Sequence, residues 1–352
     1  MTRYWQIFAG SDSRDYSEDF IRYGLAFVGD SPKIATMQQV ELGDRVILKR
    51  GLSLIVAAGV VVERDGKFRG DARTEGEVRA WLRDHDGWDL PGYCFVEWHR
   101  EPKPRSVTGL TRATIEQVRE PELRAAADEI IQATTACPIV AEPGSAEPLA
   151  DDEMLSFLVR SGLRPANAEE LTETLRRIRL LAGYYYRDCD WRDIREHEAR
   201  TFLIIPFLIA LGWSEQQIKI ELGVKVKIEL GVKRRRIDIA CFRRPYRRDP
   251  ESSEPNNHDC VLILESKGFS QGLFYAHGQG KVYAAQFPNC EVVVASNGYC
   301  YKAYRRKADH SAFEDTPSAY LNLLRARKSY SLDPGKKNGG LELLSYLMPQ
   351  RG

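Results

Sequence analysis

At 352 residues the chain is more than twice the ~150 residues of an ordinary domain, so two cores are expected. Its 51 Lys and Arg offset 50 Asp and Glu for a formal charge of +1, which excludes a chain-wide field for nucleic acid or membrane and confines any such patch to one locality. Hydrophobic residues at 43% and charged ones at 29% exclude a disordered or low-complexity chain.

The first part, residues 1–133, reads as β-rich. Strands are predicted over 4–8, 45–48, 54–62 and 93–99 from β-branched and aromatic runs, with a turn at Gly43-Asp44 and helical spacing over 18–23, 74–84 and 114–127. A short strand, a helix and then a meander predict a small barrel-like α+β domain. Composition changes over 137–149, where Pro138, Pro143, Gly144, Ser145 and Pro148 supply linker chemistry. Apolar residues then recur every three to four positions over 152–181, so 134–190 is read as a linker followed by a helical bridge.

The last part, 191–352, alternates helix and strand. A helix is predicted over 195–211, stopped by Gly212, then strands over 235–242 and 260–265 flanking a polar loop at 245–259. A helix over 272–287 follows, and strands over 291–295 and 299–304 are joined by the tight-turn signal Ser296-Asn297-Gly298. The segment Lys219-Ile-Glu-Leu-Gly-Val-Lys225 recurs verbatim at 227–233; two short copies are too few for a solenoid, and a duplicated strand lengthening a hairpin is expected. The whole is thus expected to be a multidomain protein of α+β or α/β class.

The longest apolar run, 202–211, contains Pro206 and falls well short of the ~18 residues that would suggest a spanning helix, so no membrane segment is expected. The first residues lack the basic start, apolar stretch and cleavage site of a secretion signal, and a cytoplasmic address is expected. Seven cysteines without a CxxC pair argue for reduced core thiols rather than a disulfide framework or zinc knuckle.

The chemistry concentrates on two predicted strands, one carrying Asp238 and the next Glu265-Ser266-Lys267. Strand alternation projects Glu265 and Lys267 to one face and turns Ser266 away, and hairpin pairing would set Asp238 beside Glu265. Adjacent carboxylates raise one another's pKa, a conflict that a hard divalent cation resolves. Mg²⁺, with Mn²⁺ as a substitute, suits Asp238, Glu265 and the backbone carbonyl of Ser266. Lys267 would orient the attacking water or stabilise charge developing at phosphorus, so the parts fit metal-assisted phosphodiester hydrolysis. Between 233 and 248 eight of sixteen residues are basic, among them Arg234, Arg235, Arg236, Arg243 and Arg244, with Asp238 the sole acid. A phosphate backbone would be drawn there with salt-sensitive affinity.

Asp238 followed by Glu265-Ser266-Lys267 resembles the PD-(D/E)xK nuclease motif. The surrounding stretch, 198–304, is similar to the N-terminal nuclease domain of type I restriction enzyme motor subunits: Glu198, Leu203-Ile204-Ile205-Pro206, Leu211-Gly212-Trp213, Arg236-Ile237-Asp238-Ile239-Ala240, Leu264-Glu265-Ser266-Lys267, Gln279 with Tyr283, and Ser296-Asn297-Gly298 stand in the family's order. The resemblance implies a restriction-endonuclease-like α/β/α core. In it Asp238 and Glu265 hold Mg²⁺, Lys267 is catalytic, and Glu198, taken over Glu196 on helix register, is an accessory metal or water ligand. It also implies that Gln279 and Tyr283 support the site or the nucleic acid. Gly278-Gln279-Gly280-Lys281-Val282 lacks the upstream glycine and the hydroxyl residue of a Walker A loop, so no ATPase motor is expected in this chain.

In the first part, 4–11, Gly24-Leu25-Ala26-Phe27, 42–48 and Ala57-Ala58-Gly59-Val60-Val61 resemble the PUA-like superfamily, especially its EVE and YTH branches, small barrels that take a modified or flipped base into an aromatic pocket. The resemblance implies that Ser11, Phe27 and Trp88 line that pocket, with Phe27 standing where tryptophan is usual in the YTH branch. Stacking worth ~1–3 kcal/mol would offset the unstacking of the base. Trp5 and Trp98, on predicted strands, read as core. The joint expectation is a Mg²⁺-dependent endonuclease that restricts modified foreign double-stranded DNA, as in phage defence. One site cuts one strand, so a homodimer is expected for double-strand cleavage. An RNA-directed or repair nuclease would carry the same site. A non-catalytic nucleic-acid-binding module would instead use Glu265 and Lys267 as an edge-strand ion pair. His197 and His277 have no nucleophile to pair with and read as ordinary histidines.

Overall fold

The computed structural model describes residues 2–9, 16–28, 31–70, 92–140, 147–187, 194–228, 231–247, 257–269, 273, 276–330 and 339–349. The architecture is mixed α/β, with a curled N-terminal sheet, a helical middle and a C-terminal mixed sheet with helices, and it divides into two compact units between Gly144 and Ser145.

The first unit runs β1 (Tyr4–Phe8), α1 (Ser17–Tyr23), β2 (Leu25–Val28), α2 (Ser31–Met37), β3 (Arg45–Arg50), β4 (Leu54–Val61), β5 (Arg69–Gly70), β6 (Gly92–His99), β7 (Arg105–Ser106), β8 (Ile115–Gln117) and α3 (Pro121–Ala133). Its strands are ordered β2-β6-β4-β3-β1-β8, with β5 on β6 and β7 on β4. The pair β1–β3 is parallel because a crossover through α1, β2 and α2 separates the two strands; the others are antiparallel. The four strands predicted here are present.

The helix expected over 114–127 is replaced by β8 and α3. Ile115 pairs with Ile7 and covers the outer edge of β1, which would otherwise leave backbone groups unpaired. Pro121 then opens α3 at a position where a missing N–H costs nothing. Leu123, Ala127 and Ile130 of that helix pack on Ile47, Ile55 and Ala58 of the sheet. Trp5 and Trp98 are core residues with satisfied indoles, donating to Asp44 Oδ2 at 2.8 Å and to the Leu25 carbonyl at 3.2 Å. Residues 74–84 lie outside the described residues.

The second unit runs α4 (Asp151–Arg160), α5 (Pro165–Arg187), α6 (Glu196–Ala199), a π-helical stretch (Arg200–Ile204), α7 (Ile205–Ala210), β9 (Ile218–Ile228), β10 (Gly231–Phe242), β11 (Cys260–Ser266), α8 (Ala276–Ala284), β12 (Val292–Ser296), β13 (Cys300–Arg305), β14 (Ala319–Asn322) and α9 (Gly340–Leu347). Its sheet is ordered β14-β13-β12-β11-β10-β9; β11 and β12 are parallel, with α8 in the crossover between them.

Both faces of this sheet are covered. Leu262, Leu264 and Val294 pack with Leu158 of α4, Leu171, Leu175 and Ile178 of α5 and Phe207 of α7, whereas the intervening Ile263 and Val293 pack with Tyr283 and Ala284 of α8. The helices read from the sequence as a bridge are therefore part of this core, because the apolar stripes of α4 and α5 are buried on the sheet. Arg179 fixes α5 further by a two-pronged contact with Asp151 at 2.5 and 2.7 Å and a bond to the Leu323 carbonyl at 2.8 Å.

The duplicated heptamer does lengthen a hairpin, but its two copies behave differently. The first lies within β9, while the second takes in the end of β9, the connection and the start of β10, with Gly231 opposite Ile228 and Arg236 opposite Gly223. Place in the ladder, not local preference, decides what the same seven residues do. Among the described residues no helix is long and apolar enough to cross a membrane.

Candidate active site

The antiparallel ladder between β10 and β11 pairs Ile239 with Leu264 and Ala240 with Ile263, and just beyond these rungs Asp238 lies close enough to Glu265 for its charge to raise the Glu265 pKa. At Asp238 the side-chain alternation of β10 is interrupted. Ile237 faces the α8 side and so does Ala240, whereas Ile239 and Cys241 face the α4–α5 side, so the alternation resets between Ile237 and Ile239. An irregularity lies across the ladder at the same level. Rungs join Ile237 to Leu222 and Ile239 to Ile220, but Glu221, the residue between, has φ +50, a left-handed backbone that a non-glycine residue rarely adopts.

Ser266, the last residue of β11, points its N–H at Asp238 Oδ2 over 2.8 Å. Its hydroxyl lies 3.0 Å from the same oxygen and 3.2 Å from Glu196 Oε1. Strand alternation predicts this side chain turned away from the acids; at the strand end it links two of them instead. Glu196 comes from the first turn of α6, and Arg200, one turn further, is 7% exposed and faces Glu196, Asp238 and Glu221.

Glu265 is 3% exposed, and its Oε1 has no hydrogen-bond partner among the described residues. Burial first, and then the charge of Asp238, push its pKa up to about 8. Burial and Asp238 also raise the pKa of Glu196. The Lys267 ammonium acts against both shifts, which places its charge on the same patch, and its backbone N–H is held by the Ser296 carbonyl at 2.8 Å. Helix α8 rests on the stem of Glu265: a Cβ on Gly280 would stand 2.6 Å from Val293 Cγ1 and 3.2 Å from Glu265 Cγ, so only a glycine permits this approach. Gly298, at φ +102 beyond β12, admits Leu203 of the π-helical stretch in the same way, with 2.5 Å left for a Cβ.

The structure sorts the expected residues. Asp238, Glu265 and Lys267 come together. Glu198 does not join them; its Oε2 accepts the Arg195 N–H at 2.8 Å and caps α6, so the register that was to aim Glu198 at the site aims Glu196. Tyr283 is buried facing the acids, its phenol pKa raised by burial and then by Glu265, while Gln279 is exposed. Arg234, Arg235, Arg236, Arg243 and Arg244 are all exposed, with Arg236 bound to Glu221 at 3.0 Å. In the first unit Phe27 is 3% exposed and meets Tyr16 and Phe20 edge-on at 5.5 and 4.6 Å, so it fills the core here. Ser11 and Trp88 lie outside the described residues.

The groups gathered here among the described residues are carboxylates, hard oxygen donors, and the orphaned Glu265 oxygen beside Asp238 fits a small oxygen-seeking cation. Among the described residues no group of three or more His, Cys, Asp and Glu side chains is gathered ready to hold a metal ion. The reason is visible in the contacts: Glu196 and Asp238 are linked through Ser266 and Arg200 rather than turned on a common point. Residues missed in the sequence are Arg200 and Glu221, and Glu196 is the one weighed there and passed over for Glu198. The four-residue spacing of Glu196 and Arg200 on a predicted helix was the available signal for those two; Glu221, inside the repeat, offered none. The chain matches no protein-family model, and it matches no curated protein.

Proposed function

We propose that the second unit is a metal-dependent nuclease of the PD-(D/E)xK kind with a restriction-endonuclease-like core. The first unit, in this reading, is a PUA-like reader of a modified or flipped base, and the protein restricts modified foreign double-stranded DNA. The observation that carries the reading is the buried Glu265 Oε1, without a hydrogen-bond partner among the described residues and set beside Asp238: a buried carboxylate next to another is unfavourable unless a cation or a proton completes it. Asp238, Glu265 and the Ser266 carbonyl would hold Mg²⁺ or Mn²⁺. When bound, the ion supplies Lewis acidity and a water of lowered pKa.

The chain's own groups supply the rest. Lys267 brings a mobile ammonium to the acid pair, suited to orienting a water or to meeting charge that develops on phosphorus. Arg234, Arg235, Arg243 and Arg244 offer exposed guanidinium groups for phosphate oxygens, and the charge of Arg235 reaches Tyr283 beside the acids. A DNA backbone bound along this stretch would bring a phosphodiester toward Asp238. Double-strand cleavage then calls for two copies of the chain.

The test is calorimetry of the full chain with Mn²⁺, with and without duplex DNA, followed by digestion of plain, methylated and hydroxymethylated duplexes and of RNA. Mn²⁺ uptake and cleavage that prefers a modified duplex and disappears in Lys267→Ala are expected. Absence of metal uptake with DNA present would instead make the protein a binding module. Cleavage confined to RNA would move the activity to the other nucleic acid.

A further inference from the structure

Arg200 occupies an unusual position for a guanidinium. Its Nη2 lies 3.6 Å from Glu196 Oε1 and 3.8 Å from Asp238 Oδ1, its Nη1 lies 3.6 Å from Glu221 Oε1, and its Nε has no hydrogen-bond partner among the described residues. Three carboxylates from three elements, α6, β9 and β10, thus converge on one buried cation. All three distances exceed hydrogen-bond length, so the guanidinium acts on them chiefly as charge.

The backbone on both sides is irregular. Arg200 opens the π-helical stretch, where the Ile205 N–H reaches back five residues to the Arg200 carbonyl just before Pro206, a residue that has no N–H to donate. Glu221 holds its left-handed φ while its carboxylate lies between Arg200 and Arg236. Such backbone persists only where the surroundings over-determine it.

We propose that Arg200 is a positioning residue for the acid cluster: by neutralising Glu196, Glu221 and Asp238 together it allows Asp238 to stand beside Glu265 before any cation arrives, with Oδ2 left to Ser266. The electrostatic part of this inference is independent of the nuclease reading; its consequence for cleavage rests on that reading.

The electrostatic part is tested by thermal unfolding of the full chain in chelator, with Arg200→Gln, Glu221→Gln and the double variant. Arg200→Gln is expected to lower Tm by several degrees. The double variant should unfold at a higher temperature than Arg200→Gln alone, because one orphaned carboxylate has been removed. Additive losses would overturn the inference and leave Arg200 a space-filling residue. If Arg200→Gln does not fold, the same cycle is run with Arg200→Lys.

For cleavage, Arg200→Gln should slow single-turnover hydrolysis on saturating DNA by at least about tenfold, with DNA affinity unchanged and partial rescue by Arg200→Lys. Equal rates in variant and parent would overturn the positioning role while the nuclease reading stands. If the parent neither takes up Mn²⁺ nor cuts, the nuclease reading falls and the unfolding cycle alone decides on Arg200.

Discussion

Ser266 aims two donors, its backbone N–H at 2.8 Å and its hydroxyl at 3.0 Å, at a single oxygen of Asp238. That oxygen is therefore committed to β11 while the other, Oδ1, faces Arg200. The carboxylate plane is fixed from both sides, and the hydroxyl proton serves either Asp238 or Glu196, 3.2 Å away, one at a time.

Ser266→Ala removes the hydroxyl and keeps the amide. A hydrogen bond to a charged group contributes about 1.5–3 kcal/mol, and the surviving N–H retains part of the orientation, so a loss of about 1–2 kcal/mol is expected. Urea denaturation should show a lower midpoint at unchanged slope. An unmoved midpoint would mean that the hydroxyl contributes nothing to holding Asp238.

The raised pKa of Glu265 predicts how the stability of the protein responds to pH in the presence of a chelator. Its folded pKa of about 8 lies above the ordinary carboxyl value of 4.5, so the folded state binds the proton more tightly than the unfolded state between these values. The associated stability is complete below the ordinary carboxyl range and is lost as pH rises through about 8. Denaturant midpoints in chelator at pH 5.5, 7.0 and 8.5, spanning roughly the upper part of that window, should fall for the parent and change less for Glu265→Gln, which carries no titrating proton. Identical pH slopes in the two proteins would place the titration elsewhere.

The two glycines of α8 give opposite expectations for one substitution. A Cβ on Gly280 meets Val293 and Glu265, so Gly280→Ala should cost about 1–3 kcal/mol by overpacking and push the helix off the Glu265 stem. A Cβ on Gly278 meets nothing within 4 Å, and there alanine should stabilise the helix by about 0.5–1 kcal/mol. Thermal unfolding of the two variants checks the sign of each. Equal shifts would show that helix propensity alone governs α8.

Much of this arrangement is legible in the residues. Strand runs at β10 and β11 are strong local signals that lay Asp238 and Glu265 on neighbouring strands, and the Ser296-Asn297-Gly298 turn is a further one that joins β12 to β13. What escapes the sequence is set by contacts distant along the chain. β2 is four buried residues without alternation, β8 exists because β1 has an edge to cover, and β14 is a short buried strand at the rim of its sheet. The register of α6 depends on Glu198 turning back to cap Arg195 and on the π-helical stretch that follows, neither of which periodicity conveys. The left-handed backbone of Glu221 is likewise invisible in a heptamer whose second copy occupies a different place in the ladder.

The arginine-rich stretch does not act as a uniform patch, which yields a graded prediction for DNA binding. Arg236 is 74% exposed but already bound to Glu221 at 3.0 Å, whereas Arg234, Arg235, Arg243 and Arg244 are exposed and, among the described residues, carry no carboxylate contact of that kind. A guanidinium that neutralises a phosphate releases counterions, so replacing one such arginine by alanine should reduce the slope of log affinity against log salt by about one. Arg236→Ala should change that slope less, because part of its charge is cancelled before DNA arrives. Fluorescence anisotropy of a labelled duplex across a salt series measures both quantities. If Arg236→Ala lowers the slope as much as Arg235→Ala does, the Glu221 contact gives way to phosphate on binding, and Glu221 is then left to Arg200 alone.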